Sequence, residues 1–475
     1  MFEYPTTALV VAEMIKYHIV INIVGLEFDH LQSGIVPNIS RIANEGESAK
    51  MVPVFPAVTS TMQATLLSGT YPSEHGIIGN GLYDRINQNI LFWEQSTNLV
   101  RAERIWDVAE KNSKLAMSNE VSRPSPTSSS PVKTAVLFWQ NTMYCKAHIV
   151  VTPRPLHFDD GMIMWCYSKP VGYYDQQLKT KFGEFNLATY WGPFASYKSS
   201  EWITQATNYT LEEHRPNILC TYIPHVDYSA QRFGKSSNQV RDDLKIADNI
   251  VEKIVQKTIA LGIKDESQFI ILSEYGFNDV SSAIPLNLKL RDAGLLATRQ
   301  IQDKEYLDYE FSNAFAMVDH QIAHIYVKDG FANQTKQALE NVTGVDRIVF
   351  GEEKKILKID HERSGDMIAI SDKDKWFSYY WWFDPEMAPS FAKNVDIHKK
   401  PGYDPVELFI DPNTRSVSQN ITLVRGSHGR IPNPVTGEGL AFYASNRKSG
   451  ILANYDSYES LKAVDIGKYL TSLVS

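Results

Sequence analysis

An α/β fold with a mostly parallel central sheet flanked by helices is predicted for this chain by three stretches of its sequence. Tyr17–Gly25 reads YHIVINIVG, a continuous β-branched run ended by glycine, as expected of a strand covered on both faces. Ile218–Ile223 (ILCTYI) and Phe269–Leu272 (FIIL) have the same character and run directly into the polar segments PHVDY and SEYG. Between them Val240, Leu244, Ile246, Ile250 and Ile254 fall at helical intervals over Asn238–Leu261, so the order is strand, helix, strand. In sheets of this kind ligands gather beyond the carboxyl ends of the strands. The polar residues that follow each strand are therefore the ones to examine.

The remaining elements follow in chain order. Pro37-Asn38 leads into ISRIANEG, whose apolar spacing predicts a short helix closed by Gly46. TMQATLLSG reads as a second helix with Thr59 or Ser60 at its start. Ser122–Ser130 (SRPSPTSSS) is too rich in Ser and Pro for regular structure and predicts a surface linker. From 294 to 413 charge and aromatics accumulate, with WFSYYWWF at 376–383 and the candidate strand HIYV at 324–327. That composition predicts an inserted α+β cap, leaving 17–293 and 414–475 as the α/β core. Most of the aromatic run, with Phe92-Trp93, is expected in packing; any part lining a cleft favours a planar base or an apolar alcohol.

The chain has 475 residues, with 47 basic and 55 acidic side chains giving a net charge of −8, and is 43% hydrophobic. That length and composition support a large buried core. Mild acidity without any Lys/Arg cluster argues against a nucleic-acid polymer or an anionic membrane as the main partner and for a small substrate. Three cysteines without paired spacing predict neither a disulfide scaffold nor a zinc knuckle. Residues 1–25 lack the pattern of a signal peptide, and no apolar run reaches the roughly 18 residues needed to span a bilayer, so a cytoplasmic location is expected. Five Asn-x-Ser/Thr sequons, at Asn38, Asn208, Asn333, Asn341 and Asn420, point the other way.

Four segments place chemistry at the mouth of the sheet. In PAVTSTMQATLLSG, Thr59 or Ser60 at a helix N-terminus either meets a phosphoryl oxygen with free backbone N–H groups or simply caps the helix. In HVDYSAQRFG, Asp227 and Gln231 share a face if the segment is helical; His225 and Asp227 share one if it is extended. SEYG offers Glu274 and Tyr275, and GSHG offers His428. Asp, Glu and His suit Zn, Mn or Mg, and a metal beside a hydroxyl turns it into a nucleophile.

The succession VPNISRIANEG, PVFPAVTSTMQATLLSGTYPSEHGIIGNGLYD, YIPHVDYSAQRFG, LSEYGF, RSGDMIAIS and GSHG resembles the alkaline phosphatase superfamily, in its type I phosphodiesterase/nucleotide pyrophosphatase branch. The resemblance implies an alkaline-phosphatase-like sandwich and metal-dependent hydrolysis of a small phosphorylated substrate, through a covalent phospho-enzyme on Thr59. Ser60, Thr61, Asn80 and Arg232 would face the oxyanion or substrate. One metal ion would draw on Asp227, Gln231 and His428. The other would draw on Thr59, Glu274, Tyr275 and the residue after the first strand, here Val24. Zinc is the implied ion, in one or two copies, with Mn or Mg as alternatives.

The chain departs from that pattern at the ligands. Val24, Gln231 and the Glu274-Tyr275 pair replace metal-binding residues, and the Ser60-Thr61-Met62 run replaces the Asn expected after the nucleophile. Asp227, Glu274 and His428 remain as a set for one ion. His225, His320 beside Asp319, and His398 beside Asp396 are candidates to compensate, whereas His324 in an apolar strand is expected to be packed. Lys399, Lys400, Arg232 and Arg430 are candidates to meet an anion. Two rival readings are a one-metal transferase or hydrolase on a phosphate, phosphonate or sulfate compound, and a pseudoenzyme that binds a phosphorylated ligand without turnover. A homodimer is compatible with all of these.

Overall fold

A computed structural model describes residues 15–120, 131–158, 161–455 and 461–475; the Ser/Pro-rich segment at 122–130 lies outside them. Its centre is a nine-stranded sheet. Tyr17–Ile23 lies in the middle, paired in parallel with Ile218–Ile223 on one side and Ser267–Leu272 on the other. Beyond Ile218–Ile223 come Thr134–Leu137 and Ile149–Pro153, both parallel, and then Cys166–Lys169, antiparallel. Beyond Ser267–Leu272 come Ala441–Ser445, antiparallel to it, then Glu47–Val52 and Leu461–Lys462. The two strands that flank Tyr17–Ile23 are buried along their whole length, as their unbroken apolar runs require.

Helices Pro37–Glu45, Thr59–Ser68, Tyr197–His214, Asn238–Ala260 and Ala463–Ser472 accompany the sheet. Thr59–Ser68 ends at Gly69, which takes a left-handed φ of 69° and returns its N–H to the Thr65 carbonyl at 2.8 Å. His225–Phe233 is also helical. Residues two apart in a helix face nearly opposite ways, so His225 and Asp227 do not share a side, contrary to the extended reading of that segment.

A second layer is a four-stranded antiparallel sheet in the order Ala314–Asp319, Ile322–Val327, Met367–Ser371, Val345–Phe350. Its apolar cluster takes in Phe377, Tyr379, Tyr380, Trp381 and Trp382 from the aromatic run, together with Phe55, Ile78 and Phe92 from the segment that follows Glu47–Val52. Two cores therefore meet along the carboxyl edge of the central sheet, where the segments after the strands are enclosed on both sides.

Candidate functional site

Thr59 opens its helix behind Val58, which is extended (φ −130°, ψ 157°) and has no side chain able to cap the helix start. The first N–H groups of a helix have no partner within it. One of them, from Ser60, donates to Asn80 Oδ1 at 2.9 Å. Asn80 is itself held by Asp319 in the second sheet, through its own N–H at 2.7 Å and its side-chain amide at 3.0 Å. His320 Nδ1 shares the same carboxylate at 2.7 Å. Burial raises the Asp319 carboxyl to about 6, against the pull of the two Asn80 donors.

The Thr59 hydroxyl lies 2.9 Å from the Tyr275 hydroxyl. Glu274, fully buried, receives Asn22 Nδ2 at 2.6 Å and Gln63 Nε2 at 2.7 Å on Oε1, while Oε2 has no partner. Burial pushes its carboxyl up to about 8; Gln63, Asn22 and the Thr59 hydroxyl hold it below that. Gln63 sits one turn after Thr59 and fixes its own amide by accepting the Gln140 N–H at 2.6 Å.

Asp227, in the first turn of its helix, accepts from Gln231 Nε2 at 2.6 Å, and Gln231 Oε1 accepts from the Tyr403 hydroxyl at 2.8 Å. Burial pushes Asp227 up to about 7, with the Gln231 amide and the Tyr275 phenol opposing. Its Oδ1 is unpartnered and lies 3.9 Å from His428 Nε2, which is unpartnered too. His428 Nδ1 is bonded to the Ala57 carbonyl at 2.8 Å, an arrangement that makes Nδ1 the donor and leaves Nε2 as an acceptor. Four rings lie in sequence here: Tyr275 stacked on His428 at 3.5 Å, His428 tilted 36° against His320 at 3.8 Å, and His320 stacked on Tyr403 at 3.7 Å between centroids. Desolvation holds both histidines well below their ordinary range, hence neutral.

Above these residues opens a cavity of about 660 Å³. Thr59, Asp227, Tyr275 and His320 are buried at its base, and Trp93, Trp191 and Tyr403 form one wall. Trp191 packs on Tyr403 at 5.5 Å between centroids and donates its indole N–H to Glu407 at 2.5 Å. His398 also lines the cavity, with Nδ1 2.9 Å from the Phe92 carbonyl.

The structure thus brings Thr59, Ser60, Asn80, Asp227, Gln231, Glu274, Tyr275, His320 and His428 together around one end of the cavity. It places others elsewhere. His225 is bonded to Ser200 Oγ at 2.8 Å and the Asp243 carbonyl at 2.9 Å, away from Asp227, because its helix turns it aside. Arg232 is a structural clamp rather than an anion contact: its guanidinium donates to the carbonyls of Leu408, Ala195, Gly192 and Pro193. Thr61 is fully buried and does not line the cavity. Lys400 is buried between Asp404 at 2.8 Å and Glu407 at 2.6 Å. Lys399 pairs with Asp396 at 3.3 Å and Arg430 with Asp346 at 2.9 Å. His324 is packed, bonded to the Ile78 carbonyl at 2.9 Å.

Asn22, Gln63 and Tyr403 were not singled out by the sequence. Asn22 left a signal, as the one amide inside the apolar run YHIVINIVG. Gln63 and Tyr403 left none.

The metal set expected from the sequence is not assembled. Among the described residues no three His, Cys, Asp or Glu side chains converge to hold an ion. Glu274 is turned to Asn22 and Gln63, Tyr275 lies between Thr59 and His428, and Val24 is fully buried in the main core. The donor set fits neither two ions nor the one-ion group of Asp227, Glu274 and His428.

A central α/β sheet with its pocket at the carboxyl edge places the molecule among alkaline-phosphatase-like folds. Residues 18–404 match the type I phosphodiesterase/nucleotide pyrophosphatase family, and the chain belongs to it. Members of this family generally depend on divalent metal ions. The chain is 23% identical over 281 residues to an uncharacterized pyrophosphatase/phosphodiesterase of Schizosaccharomyces pombe, covering 55% of this chain and 45% of that protein. It is 24% identical over 260 residues to ectonucleotide pyrophosphatase/phosphodiesterase family member 1 of Rattus norvegicus, covering 54% and 23%. The chain therefore spans less than half the length of the curated relatives it matches. Among solved structures, inactive murine ectonucleotide pyrophosphatase/phosphodiesterase 5 in complex with AMP superposes with a TM-score of 0.60 at 13% identity, over 97% of this chain and 95% of that one. Phosphonoacetate hydrolase from Sinorhizobium meliloti with phosphonoacetate superposes with a TM-score of 0.58 at 15% identity, over 97% and 96%. No described helix is long and apolar enough to cross a membrane.

Proposed function

We propose that the chain hydrolyses phosphoric esters of small molecules with Thr59 as the attacking group. The observation that carries this reading is the position of Thr59: first residue of its helix and lining a 660 Å³ cavity, with Asn80 holding the N–H of the next residue, Ser60. Backbone N–H groups at that helix start suit a phosphoryl oxygen. Thr59 Oγ1 bonds to phosphorus as the bond to the leaving oxygen breaks; above about pH 8, where Glu274 is ionised, its carboxylate takes the Thr59 proton and returns it to the departing alcohol, and water then cleaves the phosphothreonine. The wall of Trp93, Trp191 and Tyr403 favours a flat leaving group, so a nucleotide ester is the substrate class proposed. The complex of the similar murine protein with AMP supports that choice. A cytoplasmic location is proposed with it, supported by three buried, unpaired cysteines.

One observation favours a second reading. The Thr59 hydroxyl is engaged by Tyr275, so the pocket would bind a nucleotide without cleaving it. Hydrolysis of bis(p-nitrophenyl) phosphate by wild type and Thr59→Ala separates the two. Loss of at least about 10³-fold in kcat with Thr59→Ala is expected of a nucleophile. Calorimetric binding of AMP with no turnover by either protein would establish the second reading instead.

A further inference from the structure

We propose that the Tyr275 phenol stands where the family's metal chemistry would be seated, and that this chain holds its site together by hydrogen bonds without binding a divalent ion. The inference concerns the same site as the proposed hydrolysis and rests on the family assignment; its readout is metal bound rather than ester cleaved, so either can fail without the other.

A catalytic zinc site takes three protein ligands and keeps one open position. Among the described residues Asp227 Oδ1, His428 Nε2 and Glu274 Oε2 are unpartnered here, and only the first two are paired, 3.9 Å apart. The neighbours that could supply a third are committed in part, and no three of them converge. Gln231 uses both ends of its amide, on Asp227 and on the Tyr403 hydroxyl. Glu274 takes two amide donors on Oε1 and joins no group of three His, Cys, Asp or Glu side chains among the described residues. Val24 is an apolar side chain with no exposure, packed in the core.

The Tyr275 ring closes the remaining space. It lies parallel to the His428 imidazole, 3.5 Å between centroids at 10°, and carries its hydroxyl to Thr59 Oγ1. An ion touching both Thr59 and His428 would have to displace this ring, giving up its stacking and its hydrogen bond together.

The test uses the whole chain, stripped with chelator and then dialysed against micromolar zinc, manganese or magnesium, with bound metal counted by mass spectrometry. Wild type is expected to retain under about 0.1 ion per chain, as a site short of ligands should. The triple variant Val24→Asp, Gln231→His and Tyr275→His, checked for folding by circular dichroism, is expected to gain about one zinc per chain. Stoichiometric binding of any of the three ions by wild type overturns the proposal, as does a folded triple variant that stays empty. Should the triple variant fail to fold, Tyr275→His in the wild-type background is measured in its place, with any gain of zinc supporting the proposal and none opposing it. Wild-type dialysis decides the central claim in every case.

Discussion

Glu274 and Asp227 give the site a defined pH dependence. Glu274 titrates near its ordinary value of 4.5 in the unfolded chain and at about 8 in the folded one. Between those values the folded protein holds a proton that the unfolded chain releases, so stability falls as pH rises through the window. Asp227, raised to about 7, acts in the same direction. The melting temperature of wild type is therefore expected to drop from about pH 5 to about pH 8, and Glu274→Gln, which cannot ionise, to show a shallower decline. Parallel curves for the two proteins would show that Glu274 is not the group responsible. At this scale the sequence was legible where a carboxylate or imidazole ended a strand, as with Asp227, Glu274 and His428. It was not legible for Gln63 and Tyr403, whose roles depend on neighbours more than 70 residues away in the chain, Gln140 for one and Gln231 for the other. Arg232 was misread because a guanidinium next to a site residue looks the same in sequence whether it meets an anion or four backbone carbonyls.

The Thr59 helix is positioned by an element from the far end of the chain. Helix Ala463–Ser472 crosses it at Gly467, where an added Cβ would press on the Thr65 carbonyl and lie 2.7 Å from Gly69 Cα. No flexible side chain is there to give way, so the two backbones must part. Gly467→Ala is expected to lower stability by about 1–3 kcal/mol, the ordinary cost of overpacking, read as a shift of the urea midpoint at constant slope. An unchanged midpoint would mean that the helices separate freely. The strands Tyr17–Ile23, Ile218–Ile223 and Ser267–Leu272 were readable because burial on both faces forces continuous apolar runs, and helix Asn238–Ala260 because one face repeats at helical spacing. The place of Ala441–Ser445 between Glu47–Val52 and Ser267–Leu272 was not readable: its partners lie more than 160 residues upstream, and pairing across such distances leaves no local pattern. Helix His225–Phe233 was open to either reading, since Pro224 before it and Gly234 after it mark the ends without stating what lies between.

Across the whole molecule, the cavity exists because two separately packed cores face each other, and Asp319 is a polar tie between them. It belongs to the second sheet, yet it accepts the backbone N–H and the side-chain amide of Asn80, which in turn steadies Ser60 at the start of the Thr59 helix. The same carboxylate orients His320, the ring that links Tyr403 to His428. Removing it strands a buried N–H and loosens both sides of the cavity at once. Asp319→Ala is accordingly expected to cost about 1–3 kcal/mol in urea unfolding, the penalty of an unsatisfied buried donor. AMP affinity should fall with it, because Asn80 and His320 lose their common anchor. Asp319→Asn keeps one carbonyl oxygen for the Asn80 N–H and should retain more of both properties. If Asp319→Ala unfolds at the wild-type midpoint and binds AMP as wild type does, the two cores are joined by apolar contact alone, and the site at their boundary is held from the central sheet without help from the second.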